Sequence, residues 1–170
     1  MPLTPLAIES IIKRLNRSSN RLLRSCDYRD HKECTEFQKK HDMKGWEIFY
    51  LPEKYYYNQV LEKIMPDDVV FDVGAGDLRF DLILSNRCKK VYAVEINPTI
   101  LYRALRIIGY DLPRNLMPIC GNAFDWPELP HDVTIIVCLM KHRQTVFPGA
   151  WMGTPSIYAD DEGLVFYGRK

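Results

Sequence analysis

Two glycines one residue apart, Gly74 and Gly76, close the apolar run Val69-Val70-Phe71-Asp72-Val73, and Glu95 closes the next such run, Val91-Tyr92-Ala93-Val94. Short continuous apolar runs rich in valine mark strands buried on both faces of a parallel sheet. Glycines at the carboxyl end of the first strand permit a tight turn and close approach of backbone to a ligand. A carboxylate at the end of the second strand accepts hydrogen bonds from ribose hydroxyls in dinucleotide-binding α/β folds. These residues therefore outline a half-site for an adenosine. The dinucleotide fingerprint G-x-G-x-x-G asks for a third glycine at position 79, where this chain has Arg79, which disfavours a nicotinamide cofactor.

The order acid, then G-x-G, in Asp72-Val73-Gly74-Ala75-Gly76-Asp77 resembles motif I of the class I S-adenosylmethionine-dependent methyltransferases. Family members often carry glycine where this chain has Leu78. Glu95 falls where that family binds the ribose diol. Gly121-Asn122-Ala123, after Met117-Pro118-Ile119-Cys120, resembles the family's G-D-A, with Asn122 in place of the acid that meets the adenine amine. An asparagine carbonyl still accepts from an amine. The resemblance covers about residues 52–140. It implies a doubly wound, mostly parallel Rossmann-like α/β sheet with helices on both faces, preceded by a helical N-terminal segment. It also implies S-adenosylmethionine as cofactor, with donor contacts from Asp72, Gly74, Ala75, Gly76, Asp77, Glu95, Ile96, Asn122, Ala123 and Cys138.

The elements that would position these residues follow from periodicity. Leu6, Ile8, Ile11, Ile12 and Leu15 keep helical spacing, and Asn16-Arg17-Ser18-Ser19-Asn20 weakens that helix. A helix from Pro52 to Ile64 carries Tyr56, Val60 and Ile64 on one stripe, with Tyr57 and Leu61 beside it. A third helix runs from Asp77 to about Ser85, where Asp77 complements the helix dipole or meets the donor's amino group, and free N–H groups face the donor carboxylate. Asn97 caps and Pro98 opens a fourth, which stops at Gly109. Strands follow at Leu116–Cys120 and Val133–Cys138. Ser156-Ile157-Tyr158 and Leu164-Val165-Phe166-Tyr167 then flank the turn Asp160-Asp161-Glu162-Gly163, as a hairpin or as one strand and a turn before another. Right-handed crossovers make the main sheet parallel.

At 170 residues, with 46% apolar and 26% charged residues, the chain has the composition of one globular domain. No apolar run approaches the roughly 20 residues that span a bilayer. No secretory signal is visible at the N-terminus, and five irregularly spaced cysteines argue against a disulfide framework, so a cytoplasmic setting is expected. Net charge is only +1, yet residues 1–45 carry ten Lys/Arg against six Asp/Glu. The chain thus divides into a helical, mildly basic segment (1–45) and a donor-binding domain (46–170). Arg17, Arg21 and Arg24 share a helix face, read foremost as a solvated surface and alternatively as a contact for RNA or an acidic partner. Cys26, His31, Cys34 and His41 are zinc-ligand types, but their spacing matches no common zinc frame and no metal is expected.

The sulfonium donor activates its own methyl carbon, so the protein must chiefly hold donor and acceptor together and exclude water. Tyr55, Tyr56 or Tyr57 closes over the donor in one reading and packs the core in the other. Phe124 and Trp126 similarly flank the adenine or anchor the core. Amino-methylating members acting on bases often show N/D-P-P-Y/F/W after the fourth strand. Cys138-Leu139-Met140-Lys141 departs from it, leaving His142 as a candidate base. The acceptor is open between protein and RNA, with a macromolecule favoured by the short stretch after strand four. A homo-oligomer would also cover that open edge. The competing class is a non-catalytic binding protein that keeps the fold and binds RNA or a protein through its basic front end.

Overall fold

The computed structural model describes residues 2–23, 50–139, 147–160 and 163–168. The motif Cys26, His31, Cys34 and His41, the arginine Arg24, and His142 all lie outside the described residues. Among the described residues six strands form one sheet: β1 (Val69–Val73), β2 (Lys90–Glu95), β3 (Leu116–Cys120), β4 (Ile135–Cys138), β5 (Ser156–Asp160) and β6 (Gly163–Tyr167). Their order is β3-β2-β1-β4-β5-β6, parallel throughout except that β6 runs antiparallel to β5. Every residue of β1 and β4 is buried, which is why these strands read as apolar runs interrupted by Asp72 alone.

Among the described residues four α-helices accompany the sheet: α1 (Pro5–Leu23), α2 (Tyr50–Leu61), α3 (Arg79–Leu84) and α4 (Pro98–Ile108). Alternation along the strands sends Val70, Val91, Ala93, Leu116 and Ile135 to the face where Ile8, Ile11 and Leu15 of α1 meet Tyr57 and Val60 of α2, Leu82 and Leu84 of α3, and Leu101 and Ile108 of α4. Phe71, Val73, Val94, Ile136 and Cys138 turn to the opposite face. There the helical cover is 3-10 in kind, at Ala123–Asp125 and Gly149–Trp151 among the described residues. Trp151 fills this second layer, 5.6 Å edge-on from Phe71 and stacked 5.7 Å from Phe124. Large aromatic side chains compensate for the α-helices that this face lacks among the described residues.

α2 runs Tyr50–Leu61 against an expectation of Pro52 to Ile64, β4 begins at Ile135 against an expected Val133, and two further boundaries differ for identifiable reasons. α1 continues through Asn16–Asn20, because tertiary contacts hold it where local propensity is weak. Arg14 donates to the Ile107 carbonyl (2.9 Å) at the end of α4 and pairs with Asp111, and Asn16 accepts from Arg79 (2.8 Å). Leu6, placed on the apolar stripe by spacing, is exposed. α3 begins at Arg79, two residues later than expected, since Leu78 adopts a left-handed conformation (φ 64°) that no α-helix accommodates. Asn97 caps α4 as expected, its side chain accepting from the Thr99 and Ile100 N–H groups. Of the two readings of the final stretch, the chain forms the hairpin, β5–β6.

At β1 the chain departs to β2 on one side, and after β3 it returns to β4 on the other. The connections diverge at this switch point, and such divergence opens a crevice beyond the strands' carboxyl ends where open α/β sheets bind ligands. Gly74, Gly76 and Glu95 stand at that edge.

Candidate functional site

The turn after β1 is built on glycine. Gly74 (φ 82°) and Gly76 (φ 60°) occupy backbone conformations that side chains strain to adopt. The turn is stitched to β2, since the Gly74 and Ala75 N–H groups donate to the Val94 carbonyl at 2.9 and 3.0 Å. Glu95 completes the junction. One carboxylate oxygen accepts from the Gly76 N–H (2.8 Å) and the other from the Asn97 N–H (2.7 Å). These two backbone bonds fix the orientation of the carboxylate. Ile96, directly beyond the buried Glu95, is 49% exposed and presents an unpacked apolar surface at the same strand end. A fixed carboxylate beside an open apolar side chain is what a nucleoside's diol and base require.

Two of the N–H groups at the start of α3 bond within the turn itself. Leu78 N–H donates to Ala75 O, and Arg79 N–H to Asp77. Asp77 itself, almost fully buried, is gripped by the Arg79 guanidinium through Nε (2.9 Å) and Nη2 (2.6 Å). Arg79, the residue that breaks the dinucleotide fingerprint, thus neutralises Asp77 and links it through Asn16 to α1.

Asp72 and Glu95 both point to the helix-covered face, where α3 presents Asp81. Burial pushes the Asp72 carboxyl up to about 7, partly offset by its hydrogen-bonding contact with Asp81 and reinforced by the charge of Glu95. Burial first, and then the charge and contact of Asp72, hold Asp81 well above the ordinary carboxylate range. Asp81 is fully buried, and no N–H or hydroxyl of another described residue donates to either of its oxygens. Asp81 escaped the sequence reading, although Asp77, Asp81 and Ser85 recur at intervals of four beside Phe80 and Leu84. A carboxylate on the sheet-facing stripe of a short apolar helix was the available signal.

Asn122 sits after β3, where the Gly121 N–H donates to the Glu95 carbonyl (3.0 Å). Its side-chain oxygen caps the following 3-10 turn at the Phe124 N–H (3.1 Å), and its amide donates to Asp125 (3.1 Å). Ala123 and Cys138 are buried in the aromatic layer around Trp151, which leaves backbone as what they present at the strand ends. Phe124 and Trp126 are anchors in that same layer, Trp126 lying edge-on to Phe71 at 5.4 Å. Tyr57 stacks on Phe80 at 4.3 Å and belongs to the core, while Tyr56 is half-buried. The side chain of Tyr55 falls outside the described residues.

A six-stranded mostly parallel sheet with this switch point, a G-x-G turn and an acid closing β2 defines the class I S-adenosylmethionine-dependent methyltransferase fold. The chain is 28% identical over 120 residues to a probable ribosomal RNA small subunit methyltransferase A of Methanosarcina mazei, a match covering 62% of this chain and 44% of that protein. It thus spans under half the length of this curated relative. Among solved structures it is similar to the 23S rRNA methyltransferase ErmE (17% identity, TM-score 0.50, 62% of this chain and 45% of that one). A dimethyladenosine transferase from Plasmodium falciparum aligns at 15% identity and TM-score 0.44, over 60% of this chain and 41% of that one. No family model matches the chain. Among the described residues no helix is long and apolar enough to cross a membrane, and no group of metal-ligating side chains converges.

Proposed function

We propose that the chain binds S-adenosylmethionine and transfers its methyl group to an RNA acceptor. The observation that carries this reading is Glu95, buried and held from both sides by the Gly76 and Asn97 N–H groups at the carboxyl end of β2. Such preorganisation spares the site the cost of ordering its carboxylate when a ribose arrives. Gly74, Ala75 and Gly76 let the donor approach the backbone. Ile96 offers an apolar face to the adenine, and Asn122 holds the turn beside it. Glu95, at the carboxyl end of β2, would hold the donor's ribose, and its acidic group would suit a donor that carries a cationic sulfonium. When bound, the donor supplies an already activated methyl carbon, and the protein's task is alignment and exclusion of water.

An RNA acceptor is supported by the relative in Methanosarcina mazei, whose name states ribosomal RNA, and by the basic composition of residues 1–45. The acceptor atom stays open, because Cys138-Leu139-Met140-Lys141 departs from the tetrapeptide of the amino-methylating enzymes. Two experiments in sequence test the reading. Calorimetric titration with S-adenosylmethionine, S-adenosylhomocysteine and NAD should give binding for the first two alone. Incubation with tritium-methyl donor and total RNA or total protein should then label the RNA fraction. Binding without label in either fraction would leave the non-catalytic alternative, and absence of donor binding would refute the cofactor assignment.

A further inference from the structure

We propose that α4 and the 3-10 turn after it (Gly109–Asp111) form a docking surface for single-stranded RNA, which rests on the RNA-acceptor reading and names where the strand flanking the acceptor lies. Tyr102 of α4 is 56% exposed, and Tyr110 in the turn is fully exposed. Arg106, also exposed, stands four residues from each. Residues four apart share a helix face, so Tyr102 and Arg106 present a ring and a guanidinium side by side. Tyr110 follows beyond the stop at Gly109. Tyr102 and Arg106 also line an open groove of about 620 Å³ with Pro98, Thr99 and Leu105. Exposed rings interleaved with arginine suit a strand whose unpaired bases stack on the rings while the guanidinium groups neutralise its phosphates.

Charge selects the occupant. Between Pro98 and Pro118 three arginines, Arg103, Arg106 and Arg114, stand against one acid, Asp111. Asp111 is paired with Arg14 of α1 at 3.1 Å, and the same guanidinium donates to the Ile107 carbonyl at the end of α4. The exposed Arg106 and Arg114 therefore set the sign of this surface, and no acidic side chain lines the groove. An acidic peptide would answer the arginines without using the rings. A duplex would offer phosphates but keep its bases stacked on one another. Unpaired RNA satisfies both. The location agrees, because Pro98 and Thr99 follow three and four residues after Glu95. A strand laid along α4 thus leads to the sheet edge where the donor's ribose would be held.

The test is fluorescence anisotropy of the full chain, without methyl donor, against a short labelled RNA of mixed sequence, either unpaired or annealed to its complement. The unpaired strand should bind, and the duplex at least about fivefold more weakly. Tyr102→Ala and Tyr110→Ala should each weaken binding about five- to hundredfold, the worth of one stacked base, while Tyr102→Phe and Tyr110→Phe stay within about twofold of wild type. Arg106→Ala and Arg114→Ala should each flatten the slope of log affinity against log salt by about 0.7. A duplex bound as tightly as the unpaired strand, alanine variants that bind like wild type, or phenylalanine variants that fail as alanine does would overturn the proposal. So would polyglutamate displacing the RNA as well as polyuridylate does. Because this measurement needs no methyl transfer, the two readings fail separately. RNA bound through these residues but never labelled would sink the transferase reading and leave the docking surface. RNA labelled by Tyr110→Ala and Tyr102→Ala as fast as by wild type, at RNA below saturation, would overturn the surface and leave the transferase.

Discussion

Replacing Leu78 with glycine, the residue many methyltransferases of this fold carry there, should destabilise this protein. Two effects oppose each other. Leu78 sits at φ 64°, ψ 9°, and a left-handed conformation costs a side-chain-bearing residue about 1–2 kcal/mol, which glycine would relieve. Glycine returns some of that relief through its larger unfolded-state entropy, about 0.5–1 kcal/mol. Against this small backbone gain stands the side chain, which is 0% exposed and packed in the helix-side core. Truncating a buried leucine costs about 2–5 kcal/mol. The side chain wins, and Leu78→Gly should lose about 2–4 kcal/mol in total.

The control is Leu78→Ala, which loses nearly the same packing but retains a Cβ at positive φ. Alanine should therefore be worse than glycine by about 1 kcal/mol, the reverse of their order inside a helix. Urea unfolding of the three proteins, analysed with a common denaturant dependence, would measure both differences. Since Leu78 faces the core and not the cleft, donor affinity of the folded Leu78→Gly protein should match the wild type. A glycine variant as stable as wild type, or an alanine variant more stable than glycine, would refute the balance drawn here. Tighter donor binding by the glycine variant would show instead that leucine obstructs the crevice.

Three further outcomes follow from the same geometry. Glu95→Gln puts an amide N–H against one of the two backbone donors, Gly76 or Asn97, and hydrogen bonds to charged groups are worth about 1.5–3 kcal/mol. Donor affinity by calorimetry should accordingly fall about ten- to a hundredfold, and an unchanged affinity would remove Glu95 from the site. Arg79→Ala leaves the buried Asp77 carboxylate without its partner, at a cost of about 3 kcal/mol in urea unfolding, whereas the double change to Arg79→Ala with Asp77→Ala should recover part of it. Stability should also respond to pH through Asp72, whose carboxyl is raised from its ordinary value to about 7. A raised carboxyl binds its proton more tightly folded than unfolded, so its contribution is complete below about pH 4 and is lost as pH climbs through about 7. A shift of this size corresponds to roughly 4 kcal/mol at most, and denaturant titrations of wild type against Asp72→Asn should isolate it as a difference that grows across that range.

Where the sequence was legible, one local rule and the tertiary structure agreed. β1 and β2 announce themselves because both faces of a central parallel strand are buried, which leaves an apolar run with no polar interruption except Asp72. The cap at Asn97 and the glycine turn are equally local, each set by residues within three positions of one another. The remainder depends on contacts between distant residues. Nothing in Asn16–Asn20 announces that α1 continues, since the bonds that stabilise it reach Arg79 and Ile107, more than sixty positions away. Asp77 reads as a helix-dipole or ligand acid until Arg79, two residues on, is seen folding back upon it. Phe124 and Trp126 read equally as ligand platform or core until Trp151 is found between the sheet and Phe124. Asp81 is the most instructive case, because helical spacing and its acidic side chain give opposite instructions. The structure obeys the spacing, burying the acid where no other described residue donates a hydrogen bond to it. Such a conflict between pattern and residue type is tolerated chiefly where function benefits from it.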